Sequence, residues 1–281
     1  MSISLRAVFL QIVSVASATI AIFAAPAAFA GQRCDPQIAT PQAHKYAADA
    51  AANTLAALAT QRRSIALIAR IGQDLSQHGL LYSHVGFAIF DADQAHPGEW
   101  RVTHLLNDCG SDRGALYREG LLNFYQDSPL SYQSKVIFLK PQLEQQVIDA
   151  LAEHNGKAVF EPRYSVIAKP HSKTRQNSTA WVLEVIAAAS GAATDSRAEA
   201  SAILRAHHYQ ADTIQISYSQ RILGGFTRAN AVFTDHSLGT RLSGAYPVST
   251  VHSVFSYLRE HNLIALEATL TPKHAATIPG E

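Results

Sequence analysis

Charge and sulfur are both scarce in this 281-residue sequence. Only 16% of the residues are charged, and 23 lysines and arginines balance 22 aspartates and glutamates, so the formal net charge is +1. A chain with so weak a field cannot hold a polyanion by long-range attraction, and we expect no nucleic-acid partner. Two cysteines are too few for a disulfide-stapled scaffold or a four-thiolate zinc site. The hydrophobic share of 47% is ordinary for a globular protein.

Residues 1–30 have the pattern of a secretory signal peptide. One positive charge, Arg6, precedes an uncharged apolar run that contains the helix breaker Pro26 and ends in Ala28-Phe29-Ala30. The alternative is an uncleaved anchor, because the run is just long enough to cross about 30 Å of hydrocarbon. The small-x-small ending favours cleavage before Gly31. We therefore predict a bacterial periplasmic or secreted protein with no stable membrane span after removal of the signal.

The two cysteines, Cys34 and Cys109, both follow the predicted cleavage site. An exported chain enters a compartment that permits disulfides, so we predict a Cys34–Cys109 bridge. The alternative is that Cys109 is a nucleophile. Its surroundings, residues 107–112, form a turn-rich loop and not a helix start, whereas a reactive thiolate needs an activating environment. This favours the disulfide.

Hydrophobic periodicity predicts a chain of mixed helices and strands. The strands at 82–91 and 99–107 are joined by a short polar connection, which predicts an antiparallel hairpin. The order of elements predicts the α+β class, with an antiparallel sheet packed against helices. Helices are predicted over 41–61, 114–125, 141–154, 177–189, 198–208 and 251–261, and strands over 64–69, 82–91, 99–107, 135–140, 213–217 and 230–234.

The chain divides at a small-residue linker near 191–196. We expect a core domain over residues 31–190. Residues 195–270 either extend that core or form a small appended lobe, and residues 271–281 form a loose tail that contains Pro279.

Two histidines and a helix start are the candidates for chemistry. His84 shares a strand face with Gly86, whose missing side chain leaves space, and His104 comes within reach if the hairpin register allows it. Asn177-Ser178-Thr179 opens an apolar helix. A strand histidine that faces a hydroxyl at a helix N-terminus can act as a base, while Asn177, Thr179 and the helix amides stabilise an oxyanion.

Each of these residues also has a purely structural interpretation. Asn177 or Ser178 is by default an N-cap that satisfies free helix amides. His84 and His104 are by default semi-buried residues with local hydrogen bonds. The other histidines are scattered without the spacing of zinc ligands, so we expect no metal site, and no cofactor motif is present.

Three motifs carry a resemblance to known families: YSHVGFA at 82–88, WRVTHLLN at 100–107 and NSTAWVLE at 177–184. They resemble an exported bacterial family known only as a domain of unknown function. More distantly, their order is similar to the circularly permuted NlpC-type papain-like hydrolases, which include the lecithin:retinol acyltransferase-like group. That resemblance implies a permuted papain-like core with a C-terminal extension. In it His84 is the base, His104 the orienting residue and Ser178 the nucleophile.

The sequence departs from that pattern at the nucleophile, where those hydrolases have cysteine and this chain has Ser178. A serine hydroxyl is a much weaker nucleophile than a thiolate near neutral pH. Two functions follow: a Ser/His hydrolase or acyltransferase that acts on an amide or ester, or a non-catalytic envelope module that uses the same cleft for binding. In both cases the expected ligand is an envelope peptide or lipid.

Overall fold

The computed structural model describes residues 39–91, 98–126, 129–154, 156–191, 196–227 and 229–271. The predicted signal peptide, Cys34 and residues 272–281 lie outside these ranges. The described chain contains eight strands: β1 (Ile65–Ile71), β2 (His84–Asp91), β3 (Glu99–Asn107), β4 (Gly114–Gly120), β5 (Ser131–Leu139), β6 (Asp212–Gln215), β7 (Ala245–Val248) and β8 (Ile264–Leu270). Its eight α-helices are α1 (Pro41–Thr60), α2 (Leu121–Gln126), α3 (Pro141–His154), α4 (Ser178–Ser190), α5 (Arg197–Ala206), α6 (Tyr218–Thr227), α7 (Leu238–Ser243) and α8 (Val251–Glu260).

Six strands form one antiparallel sheet in the order β4-β3-β2-β1-β5-β8. The central strand β1 is buried along its whole length, as its apolar sequence IALIARI requires. Helices cover both faces of the sheet, so the protein is of the α+β class with an antiparallel sheet, as the sequence predicts.

Strand alternation sends each strand's side chains to two different layers. One layer, the α1 face, packs beneath α1 and α2 and includes Ala66, Ala88 and Val102. The other, the α4 face, packs beneath α3, α4, α5 and α8 and includes Val85 and Phe87. The two buried clusters therefore lie on opposite sides of the same sheet.

Helix α4 is the most deeply buried helix, and its sequence explains this position. Every residue from Ser178 to Ala189 is buried, because the helix is apolar except for Ser178, Thr179 and Glu184. The indole of Trp181 packs edge-on against Phe87, with ring centroids 5.7 Å apart. The indole N–H donates to the carbonyl of Gly156 at 3.0 Å. These contacts hold the helix against β2.

The residues after α4 contribute to two separate parts of the structure. Strand β8 pairs with β5 at the edge of the main sheet, and α8 packs in the cluster of the α4 face. Strands β6 and β7 form their own two-stranded sheet. Among the helices within the described ranges, none is both long and apolar enough to cross a membrane.

Two of the predicted elements are wrong. The first half of the helix predicted over 114–125 is a strand, β4. Only its second half, which belongs to α2, is helical. The first half is extended because its backbone pairs with β3. The pairing runs from Asn107 opposite Gly114 to Arg101 opposite Gly120. The strand predicted over 230–234 is irregular and leads into a short 3-10 turn at Phe233–Asp235.

Candidate functional site

His84 and His104 meet on the α1 face of the sheet. Nε2 of His84 lies 2.8 Å from Nδ1 of His104. The β2–β3 register places Gly86 opposite His104, so that His84 is its diagonal neighbour. A Cβ atom at position 86 would lie 2.9 Å from the Cβ atom of His104. Glycine at this position therefore leaves the space in which the two rings meet.

Glu119 extends this contact to the neighbouring strand β4. Its Oε1 lies 3.1 Å from Nε2 of His104. Sequence reasoning missed Glu119 because it placed the residue in a helix. As a strand residue it lies two positions from Tyr117, which pairs directly with His104, and it therefore points to the same face.

Arg70 and Phe124 close the other side of the histidine pair. Arg70 pairs with His84 across β1 and β2, and its guanidinium lies 4.9 Å from the ring centre of Phe124. The ring centre of Phe124 is 6.0 Å from that of His84 and 5.5 Å from that of His104. Helix α2 therefore seals the polar residues against the sheet: His104 is 0% exposed and His84 is 9% exposed.

This environment keeps His84 uncharged at neutral pH. Burial lowers the pKa of His84 well below its ordinary value of 6.5, and the positive charge of Arg70 and the nearby His104 lower it further. Protonation would place a second positive charge beside Arg70 in a buried layer.

The contacts also indicate which nitrogens carry protons. A carboxylate oxygen accepts hydrogen bonds, so the 3.1 Å approach of Glu119 Oε1 favours the tautomer of His104 that carries its proton on Nε2. Nδ1 of His104 is then an acceptor, and neutral His84 donates to it from Nε2. Nδ1 of His84 is left as the basic atom. It is a weak base, because burial and Arg70 oppose its protonation.

Ser178 lies on the opposite side of the sheet. It begins α4, whose Trp181 packs on Phe87, whereas His84 alternates with Phe87 and points to the α1 face. The side chain of Ser178 instead lies close enough to the phenol of Tyr164 to act on its pKa. The structure therefore brings His84 and His104 together but does not bring Ser178 to them.

Tyr164 is not a substitute for the histidine base. Burial raises the pKa of Tyr164, and the nearby Ser178 only partly opposes that shift. A neutral phenol near pH 7 does not take a proton from a serine hydroxyl.

Asn177 acts as the N-cap of α4. Its Oδ1 accepts from the backbone N–H of Ala180 at 2.7 Å. Its amide group donates to the carbonyls of Val166 at 3.3 Å and Ser249 at 3.1 Å. Asn177 thereby ties three chain segments together, and its side chain is occupied. Thr179 is buried within the first turn of the same helix.

A second buried polar network, missed by sequence reasoning, lies further along α4. Glu184 accepts from Nε of Arg197 at 2.7 Å and from Nε2 of Gln176 at 2.6 Å. Burial raises the pKa of Glu184, while Arg197 and Gln176 act in the opposite direction. Arg197 also donates to the carbonyl of Ser172 at 2.9 Å. These bonds fix the loop that leads to Ser178.

The remaining sequence predictions for sites concern cysteine and metal. Cys109 lies in the loop after β3, and Cys34 lies outside the described residues, so the disulfide stays a prediction. Nowhere in the described part of the chain do three or more His, Cys, Asp or Glu residues gather in a way that could hold a metal ion.

Comparison with known proteins identifies a family and nothing more specific. No curated protein matches the chain, and no solved structure matches it. The sequence pattern of one family, described as an uncharacterised protein conserved in bacteria (DUF2145), matches residues 57–258. The match spans β1 to α8, including the histidine pair and the start of α4. The chain therefore belongs to the DUF2145 family of bacterial proteins.

Proposed function

We propose that this protein is an exported cell-envelope module that binds a peptide or lipid and catalyses no reaction on it. The observation that carries the proposal is the position of the main sheet between Ser178 and the histidine pair. Proton transfer from a serine nucleophile requires a base within about 2.6–3.2 Å of its oxygen. Residues on opposite faces of a sheet do not meet this requirement.

The hydrogen bonds on each side of the sheet support the same conclusion. Ser178 is buried beside Tyr164, and the side chain of Asn177 is hydrogen-bonded to two carbonyls and to a helix amide. His104 is sealed beneath Phe124. These side chains are used for packing and for fixing loops, which is the role of satisfied buried polar groups.

Export is the second part of the proposal, and residues 1–30 support it. The test is the N-terminal sequence of the protein recovered from an envelope or culture fraction. A chain that starts at Gly31 would support export. A chain that retains Met1 and stays in the cytoplasm would contradict it.

A Ser/His hydrolase or acyltransferase with a permuted papain-like core is the second candidate. It is favoured by the chain order of His84, His104 and Ser178 and by the 2.8 Å contact between the two histidines. Activity of this kind would require the start of α4 and the histidine pair to come together from two sides of the sheet.

An electrophilic acyl probe separates the two candidates. We expect the probe not to label Ser178 in the wild type. In the variant Ser178→Cys, we expect the thiol to be labelled no more than in the double variant that combines Ser178→Cys with His84→Ala. Ser178→Ala serves as the background control. Labelling at residue 178 that is lost when His84 is replaced would overturn the binding proposal in favour of the hydrolase.

A further inference from the structure

Helices α6 and α7 expose four large apolar side chains. Tyr218 and Ile222 are 72% and 43% exposed and lie one turn apart on α6, while Leu238 and Leu242 are 62% and 74% exposed and lie one turn apart on α7. We call these four side chains the α6/α7 surface. Single exposed leucines are common, but two exposed apolar pairs on helices joined by a hydrogen bond are typical of an interaction site.

Two described arginines lie on these helices, Arg221 on α6 and Arg241 on α7. The guanidinium of Arg221 donates to the carbonyl of Arg241, which connects α6 to the end of α7, and it lies 5.6 Å from the ring centre of Tyr218. Residues 217–244 contain three arginines, no lysine and one acidic residue, Asp235. The carboxylate of Asp235 accepts hydrogen bonds from the hydroxyls of Ser172 and Thr174.

This segment is therefore basic in a chain whose overall charge is close to zero. His236 adds no charge at neutral pH, because it is packed against Tyr246 and burial lowers its pKa. The combination of exposed aromatic and aliphatic side chains with arginines at their edge is the pattern of helices that lie in the interface of an anionic bilayer.

We propose that the α6/α7 surface binds the anionic surface of a lipid bilayer. The proposal rests on the proposed function, for which it names a lipid as the ligand. Tyr218, Ile222, Leu238 and Leu242 enter the boundary between headgroups and acyl chains, while Arg221, which lies beside the exposed ring of Tyr218, pairs with a lipid phosphate. A second copy of the chain fits less well, because a two-fold interface through this surface would bring arginines of the two copies together.

Vesicle sedimentation of the full chain, purified after export, tests the proposal. Binding should be clear with vesicles of phosphatidylglycerol and phosphatidylcholine, weak with phosphatidylcholine alone, and reduced by salt. The double variant Leu238→Asp with Leu242→Asp should lower the affinity by at least about tenfold, since it removes apolar contact and adds negative charge. Leu55→Asp is the matched control, because Leu55 is a 47% exposed leucine on α1, away from this surface. It should change the affinity less than about twofold if the α6/α7 surface carries the binding.

Two results would overturn the proposal. One is the absence of binding by the wild type, or equal binding by the double variant. The other is a wild-type dimer, measured by light scattering, that the double variant converts to monomers without any vesicle binding, which would assign the surface to a second copy. Either result leaves intact the tests of export and of probe labelling, so failure of the lipid proposal is distinguishable from failure of the proposed function.

Discussion

The buried histidine pair predicts a specific loss of stability in mild acid. His84 is uncharged in the folded protein, because burial, Arg70 and His104 lower its pKa well below 6.5. The groups that face it come from β1, β3 and α2, namely Arg70, His104 and Phe124. None of these three groups carries a negative charge that would stabilise a protonated His84. In the unfolded chain the imidazole is in water and titrates near its ordinary value.

The sign and size follow from proton linkage. Between the folded and the unfolded pKa, only the unfolded state binds the proton, so the free energy of unfolding falls as the pH falls. The loss begins near pH 6.5 and continues at about 1.4 kcal/mol per pH unit until the folded pKa is reached. Above pH 6.5, His84 contributes no pH dependence. Between pH 7.5 and 5.5 this single residue should therefore remove about 1.4 kcal/mol.

The substitution His84→Gln isolates this contribution, because glutamine cannot titrate and its amide can still donate to His104. We expect the wild type to lose about 1.4 kcal/mol more than the variant between pH 7.5 and 5.5, measured by urea unfolding at several pH values. The readout is the difference in slope, so a constant offset between the two proteins does not affect it. Parallel curves for the two proteins would refute the placement of a neutral, buried His84.

Two further predictions concern packing and buried charge, both measured by urea unfolding at neutral pH. Gly86→Ala should cost about 1–3 kcal/mol, because its Cβ would lie 2.9 Å from that of His104, whereas Gly120→Ala should change stability by less than about 0.5 kcal/mol, since no atom lies within 4 Å. An equal loss of unfolding free energy in the two variants would contradict the crowding inferred around Gly86. Glu184→Leu should cost roughly 3–5 kcal/mol because it removes the carboxylate that pairs with the guanidinium of Arg197, and adding Arg197→Met should recover part of that loss. A double variant less stable than Glu184→Leu alone would contradict this account.

Elements in the interior could be predicted from the sequence because their patterns are strong. Strand β3 matches its predicted bounds at 99–107, and α3 matches at 141–154, where Pro141 occupies the first helical position. Strands β4 and β8 were not predicted. They are the two edges of the sheet and carry mixed polar sequences, GALYREG and IALEATL, since part of each faces solvent.

The edge strand β4 also determined which site residues could be found. Its assignment as a helix hid Glu119, which only alternation along a strand brings to His104. Asn177 was correctly considered as an N-cap, because its position before an apolar helix is a local feature. The network of Glu184, Arg197 and Gln176 joins residues 8 and 13 positions apart, from a loop and two helices, and no repeating pattern in the sequence indicates it.

The position of Ser178 relative to His84 depends on the face of β2 against which α4 packs. The sizes of the side chains on β2 explain why α4 packs on the face opposite His84. One face carries Val85 and Phe87, and the other carries Gly86 and Ala88 beside His84. A largely apolar helix gains most by packing on the larger apolar side chains, and Trp181 does so against Phe87. The small residues then face α2, where their size gives room for the rings of two histidines. The features that made His84 attractive as a base, its strand position and the nearby glycine, are thus the features that direct it away from the helix with the hydroxyl.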